Sequence, residues 1–245
     1  MKFRFAVALA LVASLSACNK GETGKSGSPS APVATAAPPT GQLWTEVVSK
    51  TPEGGFVMGN PNAPIKLIEY GSRLCPTCGA FANTGMKPLE ANYVASGKVS
   101  YEFRDFMVHG APDFAPALLG RCAGTAPFFP LLEQMFAEQP KILPKMENAQ
   151  AFQAKLASAP PATVPTAWAE QLGFIDFVKQ RGIPEAQARA CLSDTKQVEA
   201  LAKMTDTAGS EKGVSGTPTF FINGTKADGV VTWPDMETAL KAAGA

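Results

Sequence analysis

Ile65-Lys66-Leu67-Ile68-Glu69-Tyr70 runs, after a short gap, into Cys75-Pro76-Thr77-Cys78, and the rest of the chain is best read outward from this pair. The first piece is short, mostly apolar and β-rich, as a buried strand should be. A lone C-x-x-C is half a zinc site, a redox pair or neither. Pro76 suits the first position of a helix, where its missing N–H costs nothing and its φ is already helical. Cys75 then falls at the helix N-terminus, where unpaired N–H groups and the macrodipole favour a thiolate over a thiol. Far downstream, Thr217-Pro218 stands just before the apolar run Thr219-Phe220-Phe221-Ile222 and the turn Asn223-Gly224. Strand, C-x-x-C, helix and a later Thr-Pro before a strand make the layout of a dithiol redox site.

Zinc is the competing reading of the motif. A tetrahedral site needs four ligands, and the other candidates are Cys122, Cys191 and the single histidine, His109. His109 follows the second strand and reads as a surface or satisfied core histidine rather than a catalytic one. Trp168 and Trp233 sit at helical, apolar spacings and read as packing.

The order of these parts resembles the thioredoxin superfamily and, within it, the DsbA-like thiol–disulfide oxidoreductases of the bacterial envelope. The resemblance runs over most of the chain after about Gly55. It implies that Cys75 is the exposed nucleophile and Cys78 the buried resolving cysteine. It carries the family's buried acid, six residues before the nucleophile, onto Glu69, and its cis-proline onto Pro218. Burial would raise the pKa of Glu69 and let it shuttle the proton of Cys78; the other reading is an ordinary solvated charge at a strand end. A cis-Pro218 would bring backbone close to Cys75, block metal capture by the dithiol and leave Thr217 free to pair with substrate backbone. Pro76 and Thr77, in the exposed turn of the motif, join Thr217 as the substrate-binding residues so implied. Most strong oxidants of the family carry histidine where this chain has Thr77, a hydroxyl without positive charge.

The same resemblance gives an α/β thioredoxin fold with an inserted helical domain. Val47-Val48 and Phe56 to Gly59 read as an edge hairpin, Val99 to Phe106 as the next strand, and Thr219 to Ile222 with Val230 to Thr232 as an antiparallel pair. A helix runs from the motif towards Gly97, kinked at Pro88. Residues 43–107 and 213–245 then form the thioredoxin-like domain, with 108–212 inserted. Prolines divide the insert into helices over Asp113 to Gly124, Phe128 to Glu138, Asn148 to Ala157, Thr166 to Arg181, Glu185 to Leu192 and Thr195 to Lys212. Trp233 to Ala243 closes the chain with a helix. Some DsbA-like proteins carry a second, structural disulfide across this insert, which implies a Cys122–Cys191 bridge; two buried free thiols are the alternative.

The N-terminus sets the expected compartment. Lys2 and Arg4 precede a largely apolar run from Phe5 to Leu15, too short to span a bilayer, so residues 1–17 read as a signal peptide. Leu15-Ser16-Ala17-Cys18 looks like a lipobox, with cleavage before Cys18 and acylation of that residue; Asn19 after it points to the outer membrane. The five cysteines then become four: the C-x-x-C pair, and Cys122 with Cys191. An oxidising periplasm permits all four to pair. Residues 18–42, rich in Gly, Ser, Pro, Ala and Thr, read as a lipidated flexible tether.

With 22 basic and 21 acidic residues the net charge is +1, and no basic block suggests nucleic acid. The reading is therefore a periplasmic, lipid-anchored monomer without organic or metal cofactor. It donates a Cys75–Cys78 disulfide to unfolded or partly folded exported proteins and is reoxidised by a DsbB-like, quinone-coupled membrane partner. A disulfide isomerase or reductase, or a metal-binding lipoprotein of thioredoxin fold, are the alternatives.

Overall fold

The computed structural model describes residues 30–245. The expected signal peptide, the lipidated Cys18 and the first part of the tether lie outside the described residues.

One mixed sheet organises the chain. Its strands are β1 (Val48–Lys50), β2 (Phe56–Gly59), β3 (Ile65–Gly71), β4 (Val99–Asp105), β5 (Thr219–Ile222) and β6 (Thr225–Lys226), in the order β1-β2-β4-β3-β5-β6. Only β3 and β4 are parallel, with Glu69 opposite Phe103; the other pairs are antiparallel. A parallel pair needs a crossover, and α1 (Pro76–Leu89), running on through a wider π-helical turn at Glu90–Val94, supplies it. Pro88 stays inside α1. It has no N–H to return to the preceding turn, and the π turn begins two residues later.

Strand alternation places Ile65, Leu67 and Glu69 on one face of β3, with Ile68 and Tyr70 on the other. The first face packs under α1 and α10 (Trp233–Ala242) in a core that includes Phe56, Phe81, Tyr101, Phe103, Phe220 and Leu240. The second face, with Tyr70, Phe106 and Phe221, meets Ala208 of α9 (Thr195–Lys212).

Between β4 and α9 lie α2 (Ala111–Cys122), α3 (Phe128–Ala137), α4 (Gln139–Ile142), α5 (Ala149–Lys155), α6 (Val164–Leu172), α7 (Phe174–Lys179) and α8 (Glu185–Leu192). Most of them close around a second core of Leu118, Met135, Trp168, Phe174 and Leu192. Helix α3 is shared: Leu131 and Met135 face the second core, whereas Phe128, Phe129, Leu132 and Phe136 complete the first.

Three expectations are corrected. The partner of β5 is Thr225–Lys226, not Val230 to Thr232. Asn223 and Gly224 both have positive φ, 50° and 81°, as a two-residue primed turn requires, so pairing resumes at once; Val230 instead packs as coil against the first core. The helix expected over Thr166 to Arg181 is two helices, because Gly173 adopts a left-handed φ of 82° and caps α6. The tether does not run free as far as residue 42. Ser30 and Val33 donate to the carbonyls of Ala242 and Gly244, and Ala36 donates to Ser96. The Trp44 indole donates to the Ala36 carbonyl at 2.7 Å. Backbone groups in a polar, proline-rich stretch carry no periodic signal of this docking.

Candidate active site

Cys75 is the N-cap of α1, with extended backbone, and its sulfur accepts from the Cys78 N–H at 3.4 Å. Pro76 follows as N1 and, with Thr77, is exposed. Cys78 lies one turn in and is fully buried, and Cys75 is 6% exposed. Both thiols are free. The Thr217–Pro218 peptide is cis and turns the Thr217 carbonyl towards Cys75, whose thiol donates to it at 3.2 Å. The Thr217 hydroxyl is buried and otherwise unpartnered, free to donate to the sulfur once Cys75 ionises.

These contacts set the two thiols apart. Cys75 is pulled down to about 5, chiefly by its hydrogen bond with the Cys78 thiol, then by Thr217 and the backbone N–H groups of Cys78 and Thr77, against the opposing effect of burial. Cys78 is pushed up, mainly by burial, then by donating to Cys75 and by the charge of Glu69. One sulfur is thus a stable thiolate and the other a reluctant one, which is the asymmetry a nucleophile and a resolving group need.

Glu69 is 1% exposed, and burial raises it to about 8 even though a hydrogen bond from Tyr101 pulls the other way. The Tyr101 hydroxyl donates to Oε2 at 2.6 Å; Oε1 has no partner. The solvated-charge reading of Glu69 fails because strand alternation turns it under α1.

The turn that delivers Cys75 is held from several directions. Gln139, at the start of α4 and 4% exposed, donates both Nε2 protons, to the carbonyls of Arg73 and Cys75, each at 2.9 Å. Its Oε1 lies over Gly79, where a Cβ would collide with it. The Ser72 hydroxyl donates to Asp113 Oδ1 at 2.6 Å and accepts from the Leu74 N–H at 3.0 Å. Arg73 pairs with Asp105, which also accepts from Arg121 at 2.8 Å. His109 pairs with Asp113 through Nδ1 at 3.1 Å. That bond raises its pKa against burial, and the Cys75 charge adds a smaller effect. Among the described residues no group of three or more His, Cys, Asp or Glu side chains converges as a metal would require.

Glu69, Cys75, Cys78, Thr217 and Pro218 therefore come together from β3, α1 and the loop before β5. Cys122 and Cys191 lie elsewhere, bonded to each other between α2 and α8 with Cα atoms 5.9 Å apart. Gln139, Ser72, Asp113 and the Arg73–Asp105–Arg121 group were not foreseen, since their partners are distant in sequence and follow no motif. Tyr101 carried a weak signal: it shares a β4 face with Val99 and Phe103, the face that strand pairing turns towards Glu69.

The comparisons agree with this fold. The family model described as Thioredoxin matches residues 51–242, and the chain belongs to that family. A crystal structure titled protein-disulfide isomerase, from Novosphingobium aromaticivorans, superposes with TM-score 0.72 at 30% identity, over 76% of this chain and 95% of that one. Wolbachia pipientis alpha-DsbA1 shares the fold with TM-score 0.59 at 20% identity, over 76% of this chain and 88% of that one. A putative protein-disulfide oxidoreductase of Rickettsia bellii is 27% identical over 183 residues, 75% of this chain and 62% of that protein. This chain thus spans about three fifths of the length of that curated relative.

Proposed function

We propose that this protein is a thiol–disulfide oxidoreductase of the DsbA type that passes its Cys75–Cys78 disulfide to exported proteins. The observation that carries the reading is the arrangement at the α1 N-terminus, with a low-pKa Cys75 beside a cis-proline and a buried Cys78 behind it. In the oxidised protein a substrate thiolate attacks Cys75 Sγ, and Cys78 leaves as a thiolate and takes up a proton. A second substrate thiolate then attacks the substrate sulfur of the mixed disulfide, forming the substrate disulfide and expelling the Cys75 thiolate. The depressed pKa makes Cys75 a good leaving group and stabilises the reduced form, which favours donation of the disulfide. Thr217, Pro76 and Thr77 line the approach to the sulfur, and Glu69 exchanges the proton of Cys78.

The lipobox at Cys18 and the even count of the remaining cysteines support a periplasmic, lipid-anchored location, with Asn19 favouring the outer membrane. Unfolded exported chains are then the substrates, and a quinone-coupled membrane protein of the DsbB kind restores the disulfide. Disulfide isomerase is the second reading, favoured by the name of the Novosphingobium relative.

Equilibration with glutathione buffers tests the direction. A potential close to DsbA's, about −120 mV, supports donation, whereas one near thioredoxin's, about −270 mV, overturns it. Refolding of a scrambled substrate separates isomerase from oxidase. Cys75→Ser should reduce thiol exchange to the uncatalysed rate, and Cys78→Ser should trap substrates on Cys75 as mixed disulfides visible on non-reducing gels.

A further inference from the structure

The exchange assigned to Glu69 leaves open which oxygen takes the proton and what keeps a fully buried carboxyl able to ionise. Among the described residues the Tyr101 hydroxyl is the only hydrogen-bond donor that reaches Glu69, at 2.6 Å on Oε2, while Oε1 is buried without a partner. Tyr101 is itself 1% exposed and tilted against Phe129. We propose that Tyr101 is a positioning residue for disulfide exchange, holding Glu69 by Oε2 so that the proton exchanged with Cys78 is carried on Oε1. The proposal rests on the oxidoreductase reading above.

The environment keeps Tyr101 a donor. Burial, followed by the charge of Glu69 and its hydrogen bond, pushes its own pKa far up, so the phenol holds its proton whatever Glu69 does. The groups facing the pair are mostly acidic. Cys75 and Cys78 face it from α1. Glu90, at the end of α1, opposes ionisation of Tyr101 and is hydrogen-bonded to Glu133 of α3. Arg73 is the cation whose charge is felt at Tyr101, but it is committed to Asp105 and lies over the rings of Phe103 and Phe128. With acidic neighbours and no cation bonded to it, a buried carboxyl relies on the neutral donor to stabilise its charge.

The proton balance follows. When Cys78 resolves a mixed disulfide, its thiol proton moves to Glu69 Oε1. The Cys78 thiolate forms a bond to Cys75 Sγ, and the bond from Cys75 to the departing sulfur breaks, releasing that sulfur as a thiolate. In the opposite direction, protonated Glu69 returns the proton to Cys78 as it leaves the internal disulfide.

An aromatic disulfide that releases coloured nitrothiobenzoate resolves the two steps. Reduced protein releases a first equivalent as Cys75 attacks, and a second as Cys78 displaces the bound one. In the wild type the second phase should quicken with pH, with an inflection near the Glu69 value of about 8. Tyr101→Phe should move that inflection up by about one pH unit and slow the second phase about tenfold at neutral pH, leaving the first phase unchanged. Ring-fluorinated tyrosine at position 101, a stronger donor of the same shape, should move the inflection down; this arm stands if the phenylalanine variant does not fold. In a Glu69→Gln background the inflection should vanish and Tyr101→Phe should have no further effect. Equal slowing of both phases, an unmoved inflection, or a full Tyr101→Phe effect without Glu69 would overturn the proposal. Loss of the first phase in the wild type would instead overturn the oxidoreductase reading.

Discussion

Two pairs of cysteines occupy the same chain and meet opposite fates. Cys75 and Cys78 lie three residues apart at the N-terminal end of α1, beside a cis-proline, and are free. Cys122 and Cys191 lie 69 residues apart and are bonded. Each of the latter sits at or near the C-terminal end of its helix, α2 or α8. The difference is one of local field as much as of distance. A helix N-terminus stabilises a thiolate, and hence the reduced form, whereas a C-terminus disfavours one. The field at the helix start thus favours the reduced form of the first pair, whereas the second is bonded and ties α2 to α8 around the second core.

Removing the bridge should produce the largest effect. The double variant Cys122→Ser/Cys191→Ser should lose about 4 kcal/mol of stability by the loop-entropy estimate. Thiol exchange at Cys75 should persist under native conditions. Urea unfolding beside an exchange assay checks both, and loss of exchange in a variant that is still folded would break the division of labour between the pairs.

An effect of comparable size distinguishes the surroundings of the active pair. Glu69 is raised from 4.5 to about 8 in the folded protein, so the unfolded chain gives up this proton first. Stability therefore falls as pH rises through that window, and the penalty is complete above it. Glu69→Gln removes it. The variant should match the wild type in acid and exceed it at about pH 9 by an amount on the order of a few kcal/mol, read from unfolding midpoints across pH. An equal gain at every pH would show that packing, not ionisation, is responsible.

The smallest effect sharpens the comparison at the motif itself. Thr77→His adds a titratable cation to the exposed turn at the N-terminus of α1, where it should lower the Cys75 pKa by about one unit. The reduction potential should rise by about 30 mV in step. Thiolate absorbance against pH and glutathione equilibrium measure the two. The Cys122–Cys191 bond, at the far ends of its helices, should be indifferent to the substitution.

Much of the site was legible because its logic is local. Cys75 at a helix start follows from Pro76 and the strand before it, whereas Glu69 was reached through the family resemblance, and the alternation of β3 in the fold is what turns it under the helix. The prolines marked out the helical segment, and Glu185–Leu192 and Thr195–Lys212 begin and end where the pattern put them. Legibility failed where a single residue outweighed a pattern. Gly173 broke one helix into two, and Asn223-Gly224 demanded a tight hairpin in place of a longer one.

The amino-acid sequence alone determined the C-x-x-C pair, the place of Cys75 at a helix start and the order of elements around it, since each depends on neighbours a few residues away. Tertiary structure alone decided that Tyr101 is the donor to Glu69 and that Gln139 grips the carbonyls of Arg73 and Cys75. It also decided that α3 serves both cores. Those contacts join residues separated by 32, 66 and 64 positions, and a hydrogen bond across such a gap exists only once packing has brought its two ends together in a space closed to water.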